Sequence, residues 1–405
     1  MSRSQRLKKY SSTRHTSLLW IGSLLVIVCL CLSYTAGFGI YRLWDELEQT
    51  RHPKPLGVFW EAWERIENYF YGELPSPRER TYGAIHETLA QLNDPYTIFV
   101  EPQPRELERD HMRGSYGGIG VALQCDTEGK IVLSPYPDSP AERAGIRDGD
   151  ILLAIDGNAV SSELSLDDLR SQLRDEIGAV VTLTLSRPPT PPFDIVITRD
   201  EIQVASVTWR ILEQASDIGY IHIESFTERT SNEILLSLQE LQQAKISGLI
   251  LDLRGNSGGL IDSAIAIASQ FLDDGDVLYH QMSREQERTS RVQRDGVAID
   301  IPLAVLVNGE TASAAEIVAG ALQDHGRATL IGEPTFGKGS MQLVYDLSDG
   351  SSLHVTSAIW LTPGRHQIQG KGLTPDIYIS RGEDDADSGD KQLDRAVNYL
   401  QSRRE

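Results

Sequence analysis

The sequence predicts a layered α/β core with a smaller strand-rich domain ahead of it, a helical segment before that, and one apolar helix at the N-terminus. Three observations carry this. From Ile202 onward, apolar runs of strand length alternate with stretches of helical period. Between Asn93 and Thr198, short strands are separated by glycine- and proline-bearing turns. From Ser17 to Tyr41 there are 25 residues without a charge.

That apolar run is long enough to cross a bilayer as a helix. It follows Arg3, Arg6, Lys8, Lys9 and Arg14, with no acid among the first 16 residues. The positive-inside rule therefore puts residues 1–16 in the cytoplasm, a single-pass anchor at 17–41, and everything after Arg42 outside, in the periplasm or the extracellular space. A cleaved signal peptide is the competing reading, with small residues at Ser33-Tyr34-Thr35-Ala36-Gly37 to cut at. Beyond the basic start, the remaining 33 bases face all 58 acids of the 405-residue chain. Such a balance excludes the basic footprint that nucleic-acid binding needs. Only Cys125 lies past the apolar run, so no disulfide can form within the exported part.

Residues 42–100 read as helical: Phe59, Trp60, Trp63, Ile66 and Phe70 recur mostly at spacings of three and four, as do Tyr82, Ile85, Leu89 and Leu92. Pro75 and Pro77 divide them into a hairpin expected to pack on the body of the protein.

Over residues 101–199 the pattern becomes strands and turns. Gly117-Gly118-Ile119-Gly120-Val121 is followed by Ser139-Pro140-Ala141-Glu142-Arg143-Ala144-Gly145-Ile146 and by Gly149-Asp150-Ile151-Leu152-Leu153-Ala154-Ile155-Asp156-Gly157. Ser165 caps a short helix through Leu173, with Asp168 as the return half of the cap. The four prolines between Pro188 and Pro192 are read as a stiff turn before one more strand, Phe193–Thr198. These segments together resemble a PDZ domain of the bacterial type. The resemblance makes Gly118, Ile119, Gly120 and Val121 the loop whose N–H groups hold a chain-terminal carboxylate, while the peptide adds as a strand to an exposed edge.

Residues 200–382 alternate between strand and helix: Gly219–Ile223, Ser231–Gln242, Gly248–Leu253, Leu260–Leu272, then Leu303–Val307 and a helix opening after Ser313. Within 383–405, Glu383–Asp390 reads as a solvated acidic stretch and Gln392–Gln401 as a terminal helix.

Two serines compete for chemistry. Ser257, in Gly255-Asn256-Ser257-Gly258-Gly259, matches Gly-x-Ser-x-Gly between a strand and a helix, and would require a downstream histidine as base. His280, His325, His354 and His366 follow, none in a context that marks it as one. Ser313, in Thr311-Ala312-Ser313-Ala314-Ala315-Glu316, opens a helix, where unpaired N–H groups attract negative charge. Lys338 lies between Gly337 and Gly339, with no acid from Pro334 to Leu343, a setting in which an amine can be held neutral. Gly258 and Gly259 have a second use: with the Ala314 N–H they can form the two halves of an oxyanion hole.

The order of parts resembles the carboxyl-terminal processing peptidases, PDZ-containing serine proteases with a Ser/Lys dyad. The matching segments are Gly248–Gly259, Thr311–Asp324 and Gly332–Gly339, followed by Trp360-Leu361-Thr362-Pro363-Gly364-Arg365 and Gly370-Lys371-Gly372-Leu373-Thr374-Pro375-Asp376-Ile377. The similarity runs from about residue 55 to 402. It implies Ser313 as nucleophile, Lys338 as general base, Gln342 as the residue orienting the lysine, and Gly259 with the Ala314 amide as oxyanion donors. It also implies protein substrates with unstructured C-terminal tails, and a PDZ domain that gates the site, Arg174 standing where such a contact would be made. Three positions depart from the family pattern: Ser257 replaces Pro or Gly, Arg174-Asp175 replaces Arg-Gly, and Ala315 replaces Ser.

A lysine serves as base only when neutral. Bringing its reference pKa of ~10.4 to ~7–8 by burial costs about 4 kcal/mol, so the site is expected to be dry and free of carboxylates. No metal or cofactor is expected, since no His-Glu-x-x-His or paired-cysteine pattern is present. Two other functions fit parts of the sequence: an inactive membrane-anchored PDZ scaffold, and a histidine-dependent esterase using Ser257. Whether the chain acts alone, as a homo-oligomer or with a regulatory adaptor is left open.

Overall fold

The order of elements follows from where apolar residues alternate and where they run on unbroken. The computed structural model describes residues 55–161, 164–281, 286–294, 296–380 and 389–403. The anchor expected at 17–41, the basic segment before it and most of the acidic stretch 383–388 lie outside the described residues. Among the described residues no helix is long and apolar enough to cross a membrane.

Two units make up the chain, Met1–Thr81 and Tyr82–Glu405. In the first, helix α1 (Pro55–Tyr69) presents Trp63 and Glu67 to Arg80, whose guanidinium lies over the Trp63 ring and pairs with Glu67. Helix α2 (Pro77–Ala90) begins with Ser76 and Glu79 in reciprocal caps.

The second unit starts with a short strand, β1 (Ile98–Val100), and helix α3 (Pro102–Arg113). Strand β2 (Ser115–Gly118) then leads into a sheet of β3 (Val121–Cys125), β4 (Ile131–Pro135), β5 (Asp150–Ile155), β6 (Asn158–Ala159), β7 (Val180–Arg187) and β8 (Thr190–Thr198). Its order is β3-β4-β5-β7-β8, so β3 is an edge strand. Short helix α4 (Pro140–Arg143) and helix α5 (Leu166–Leu173) pack on it, their buried residues joining Ile119, Leu123, Leu133, Leu183 and Ile197 in one core. The capping box of Ser165 and Asp168 is present, but only Pro188 and Pro189 form the β7–β8 turn: the strand expected from Phe193 already begins at Thr190 and takes in Pro191 and Pro192. Strand β9 (Asp200–Gln203) returns antiparallel along β2. The sequence pattern groups Ile98–Val100 with the helices before it, yet β1 pairs with residues 352–354, in the later part of the chain. Three residues are too few to show a strand period.

The remaining elements form the α/β body. A six-stranded sheet runs β10 (Val207–Leu212), β11 (Ala215–Ile223), β12 (Gly248–Asp252), β15 (Leu303–Val307), β16 (Thr329–Gly332), β19 (Ile377–Tyr378), parallel from β11 onward. Every residue of β12 and β15 is buried, the mark of a strand covered on both faces. Leu249, Leu251, Val305 and Val307 face helices α6 (Thr230–Gln243), α7 (Ile261–Ala268) and α8 (Ala314–Asp324). Ile250, Ala304 and Leu306 face α9 (Lys391–Ser402). Helix α7 stops four residues short of the predicted Leu272, because Ser269 turns its hydroxyl back onto the Ile265 carbonyl and the chain continues in turns. A second, antiparallel sheet holds β13 (Asp276–Gln281), β14 (Glu287–Arg291), β17 (Ser340–Asp346) and β18 (Ser352–Leu361) beside β1. Asp390 is not a solvated tail residue: it caps α9 and pairs with Arg254 at 2.7 Å.

Leu251 is fully buried between the sheet and its helices. Leu251→Ala should therefore destabilise the body by about 2–5 kcal/mol, read as a lower urea midpoint at unchanged slope.

Candidate functional site

Strand β15 delivers the chain to the site through a tight connection. Asn308 N–H donates to Thr311 Oγ1, and that hydroxyl donates to the Leu253 carbonyl at 2.9 Å. Gly255 N–H donates to Asn308 Oδ1, so the loops after β12 and β15 are stitched together. Fully buried Asn256 adds two links: its side-chain amide donates to the Ile223 carbonyl, and its own carbonyl accepts from Ala312 N–H. Between these loops and α8, Ser313 adopts φ 52° and ψ −115°, outside the regions open to ordinary residues. Such a conformation costs of order 1–3 kcal/mol and persists only where its surroundings impose it. A sharp strand-to-helix turn with the serine at its apex is the device by which hydrolases expose a nucleophile.

Lys338 comes from the connection between β16 and β17. Its flanking glycines lie under the 368–372 loop: a Cβ on Gly337 would fall 2.8 Å from Gly372 N, and one on Gly339 2.5 Å from Gln369 N. Only glycine permits that approach, and Gly337 also has φ 94°. Burial holds the Lys338 ammonium below the usual lysine range, while the Glu108 carboxylate on α3 opposes that shift. The expected absence of carboxylates is thus not met. Burial raises the Glu108 carboxyl, but hydrogen bonds with His354 and Arg105 outweigh this and leave it below the ordinary value.

One side chain that sequence reasoning left without a role joins the two loops. Glu316 is fully buried, and its carboxylate accepts from Ser313 N–H at 2.9 Å, Lys338 N–H at 2.9 Å, Gly337 N–H at 2.8 Å and Thr335 Oγ1 at 2.5 Å. Burial pushes its carboxyl above the ordinary value against the pull of those four donors. The Ser-x-x-Glu spacing is that of a capping box, the signal read at Ser165 but not here.

The glycine loop touches the serine directly. A Cβ on Gly258 would sit 2.8 Å from the Ser313 Cβ, and Gly259 has φ 138° with Phe226 O in the space a side chain would need. The Gly258 N–H is taken by Asn256 Oδ1 at 2.8 Å, so in this conformation it is not a free donor. Among the described residues the N–H groups of Gly259 and Ala314 have no acceptor. Ser257 is exposed, and no described histidine hydrogen-bonds to it or to Ser313; His280, His325, His354 and His366 all have partners elsewhere.

Two predicted contacts are not made. No hydrogen bond joins Ser313 Oγ to Lys338 Nζ among the described residues, and the ammonium lies 5.2 Å from the centre of the Tyr96 ring. Gln342 donates to Ser340 Oγ at 3.0 Å and Thr356 Oγ1 at 3.5 Å instead of reaching the lysine, at a register shift between Met341 and Gln342.

In the smaller domain, Ile119, Gly120 and Val121 border a groove of about 330 Å³ between edge strand β3 and helix α5. Gly120 has φ 71°, and Gly118 ends β2 just before the loop. Arg174 stands at one end of the groove, its guanidinium 4.1 Å from the Tyr116 ring centre.

A serine at a sharp strand-to-helix turn on a parallel sheet, with no histidine hydrogen-bonded to it among the described residues, joined to a small sheet domain with an open edge strand, points to the class: a serine peptidase with an attached PDZ domain. Peptidase family S41 matches residues 217–379, and the PDZ domain family matches residues 131–187. A carboxy-terminal-processing protease of Bartonella bacilliformis is 36% identical over 81% of this chain and 76% of its own length. A carboxyl-terminal-processing protease of Picosynechococcus is 38% identical over 79% and 78%. The solved structure of a photosystem II D1 C-terminal processing protease is 34% identical, covering 78% of this chain and 86% of its own, with a TM-score of 0.46. The chain belongs to the carboxyl-terminal-processing proteases of peptidase family S41.

Because Glu316 spaces the two loops, Glu316→Ala should lower peptide cleavage by about a hundredfold or more with the circular dichroism spectrum retained, as expected for a misplacement near 1 Å. Glu316→Gln, which keeps the shape but offers fewer acceptors, should fall between Ala and wild type.

Proposed function

We propose that this chain cleaves proteins near their C-terminal tails, with Ser313 as nucleophile and Lys338 as general base. The observation that carries the reading is the shared Glu316 carboxylate, which accepts from the backbone of both residues and so fixes the two loops against one another. Lys338 Nζ takes the Ser313 proton as Oγ attacks the scissile carbonyl. The tetrahedral oxyanion is held by the Gly259 and Ala314 N–H groups, with Gly258 shaping the loop. Protonated Lys338 then gives its proton to the leaving amine, and water, deprotonated by the same lysine, hydrolyses the acyl-enzyme. In this scheme the amine leaves Tyr96 for Ser313, and Gln342 turns from Ser340 and Thr356 to orient it.

The tail is received in the groove at Gly118, Ile119, Gly120 and Val121 and passed on as an extended strand, with Arg174 as the contact through which occupancy is felt. The domain reading is a PDZ domain over residues 101–199 and a protease core over 200–382, the core also using β1. Residues 17–41 anchor the chain, leaving the catalytic part outside the cytoplasm; the charge pattern around that run supports this.

Incubated with a protein bearing a disordered C-terminal tail, the wild type should shorten it; Ser313→Ala and Lys338→Ala should each abolish this, and Ser257→Ala should leave it intact. Undiminished cleavage by Ser313→Ala defeats the assignment, and binding without cleavage by the wild type favours a scaffold. A neutral base also sets the pH profile. The kcat/KM should rise as pH passes the depressed Lys338 pKa, and Glu108→Gln, by removing the charge that favours the ammonium, should move that rise to lower pH.

A further inference from the structure

The tail groove has a charge of its own. Besides Ile119, Val121, Leu123 and two tyrosines it is lined by Arg170 and Arg174, and by no acid, in a chain of net charge −20. Arg170 stands on α5, and Arg174, four positions on, is the residue that closes the helix, already in extended backbone. Arg170 has one ion pair among the described residues, with Asp167 in the preceding turn, an exposed contact of the kind that contributes little. Among the described residues no carboxylate lies within ion-pair distance of Arg174, although it also lines a second groove with Glu106, Asp110, Asp175 and Glu176, where its charge acts on the Asp110 carboxyl. The wall that carries the arginines is held in place. Buried Arg199 donates from its guanidinium to the carbonyls of Gln172 and Leu173, closing the C-terminus of α5.

Register follows from the geometry. A tail with its carboxylate on the loop before β3, extending along β3, must pair antiparallel to that strand. Its last side chain then lies beside Ile119 and Val121, and the residue two earlier lies opposite Leu123, about 6.8 Å further on and on the same face. Arg174 is at the loop end, against Tyr116. Arg170 is one turn back, about 6 Å along the helix axis. The two spacings coincide.

We propose that Arg170 is a specificity-determining residue that selects tails with an acidic side chain two residues before an apolar C-terminal residue, while Arg174 faces the terminal carboxylate. The Asp167 pairing exchanges for the ligand's carboxylate. This rests on the reading of the groove as the tail site.

The test uses the full chain carrying Ser313→Ala, so that binding is read without cleavage, and labelled twelve-residue tails that differ only in ending Glu-x-Leu, Gln-x-Leu or Lys-x-Leu. Fluorescence anisotropy should rank Glu over Gln by about three- to tenfold and Lys last, with the gap narrowing from low to high salt. Arg170→Gln should bind the Gln tail as the parent does, which shows it folded, and lose the preference. Arg170→Glu should prefer the Lys tail. Equal affinity for the Glu and Gln tails, or a preference that survives Arg170→Gln, overturns the proposal while leaving the tail site standing. A C-terminally amidated Gln tail that binds as well as the free acid, or no binding by any tail, removes the tail site and the proposal with it.

Discussion

The site depends on one buried carboxylate. Glu316 lies in the first turn of a helix whose first residue follows Ser313, and its carboxylate accepts hydrogen bonds from both loops that carry the proposed dyad. A carboxylate without water is costly to bury, and the four donors around it are what make its burial tolerable. The arrangement is reciprocal. Ser313 cannot relax from its strained φ without surrendering a charge-assisted hydrogen bond, and the Gly337-Lys338 backbone cannot move off without leaving the carboxylate short of partners. Strain at the serine and desolvation at the glutamate are therefore held by the same set of contacts.

Beneath them the parallel sheet supplies the rigidity. With both faces of β12 and β15 covered, their C-terminal ends are fixed, and the two loops leaving those ends are tied by Asn256, Thr311 and Asn308. Arg254 locks the first loop further. Its guanidinium reaches Asp252 at 2.6 Å and Asp390 at 2.7 Å, and these partners hold it firmly charged although it is largely buried. The N-terminus of the C-terminal helix is thus tied to the loop that leads into the glycines beside Ser313.

How much of this could be read from residues alone depends on the range of each interaction. Ser313, Lys338 and the glycine loop stood out because each sits in a contiguous stretch with a local signature: an apolar run before a helix, a lysine between glycines, paired glycines after a strand. Glu316 carries a local signature too, yet two of its partners are the amides of Gly337 and Lys338, some twenty residues on, and no spacing rule connects them. Glu108 and Tyr96 reach the lysine from before the inserted domain, so their part in its environment exists only after folding. The sheet formed by β13, β14, β17 and β18 went unread for a related reason. Leu343, Val344 and Tyr345 are consecutive apolar residues that stay exposed, so the usual alternation is missing.

The placement of β1 has a consequence for how the smaller domain is held to the body. Because β1 pairs with β18 ahead of the smaller domain, and β9 leads back into the body behind it, that domain is spliced into the core by two chain crossings that run side by side as the β2–β9 ribbon. A domain on a single linker sweeps a volume set by linker length, and the local concentration of its cargo falls as that length grows. A domain on a paired ribbon is confined to bending about one short stalk. If tails bind beside β3 as proposed, they would be delivered along a restricted arc, and the number of residues between carboxylate and cut bond would become a ruler built into the fold.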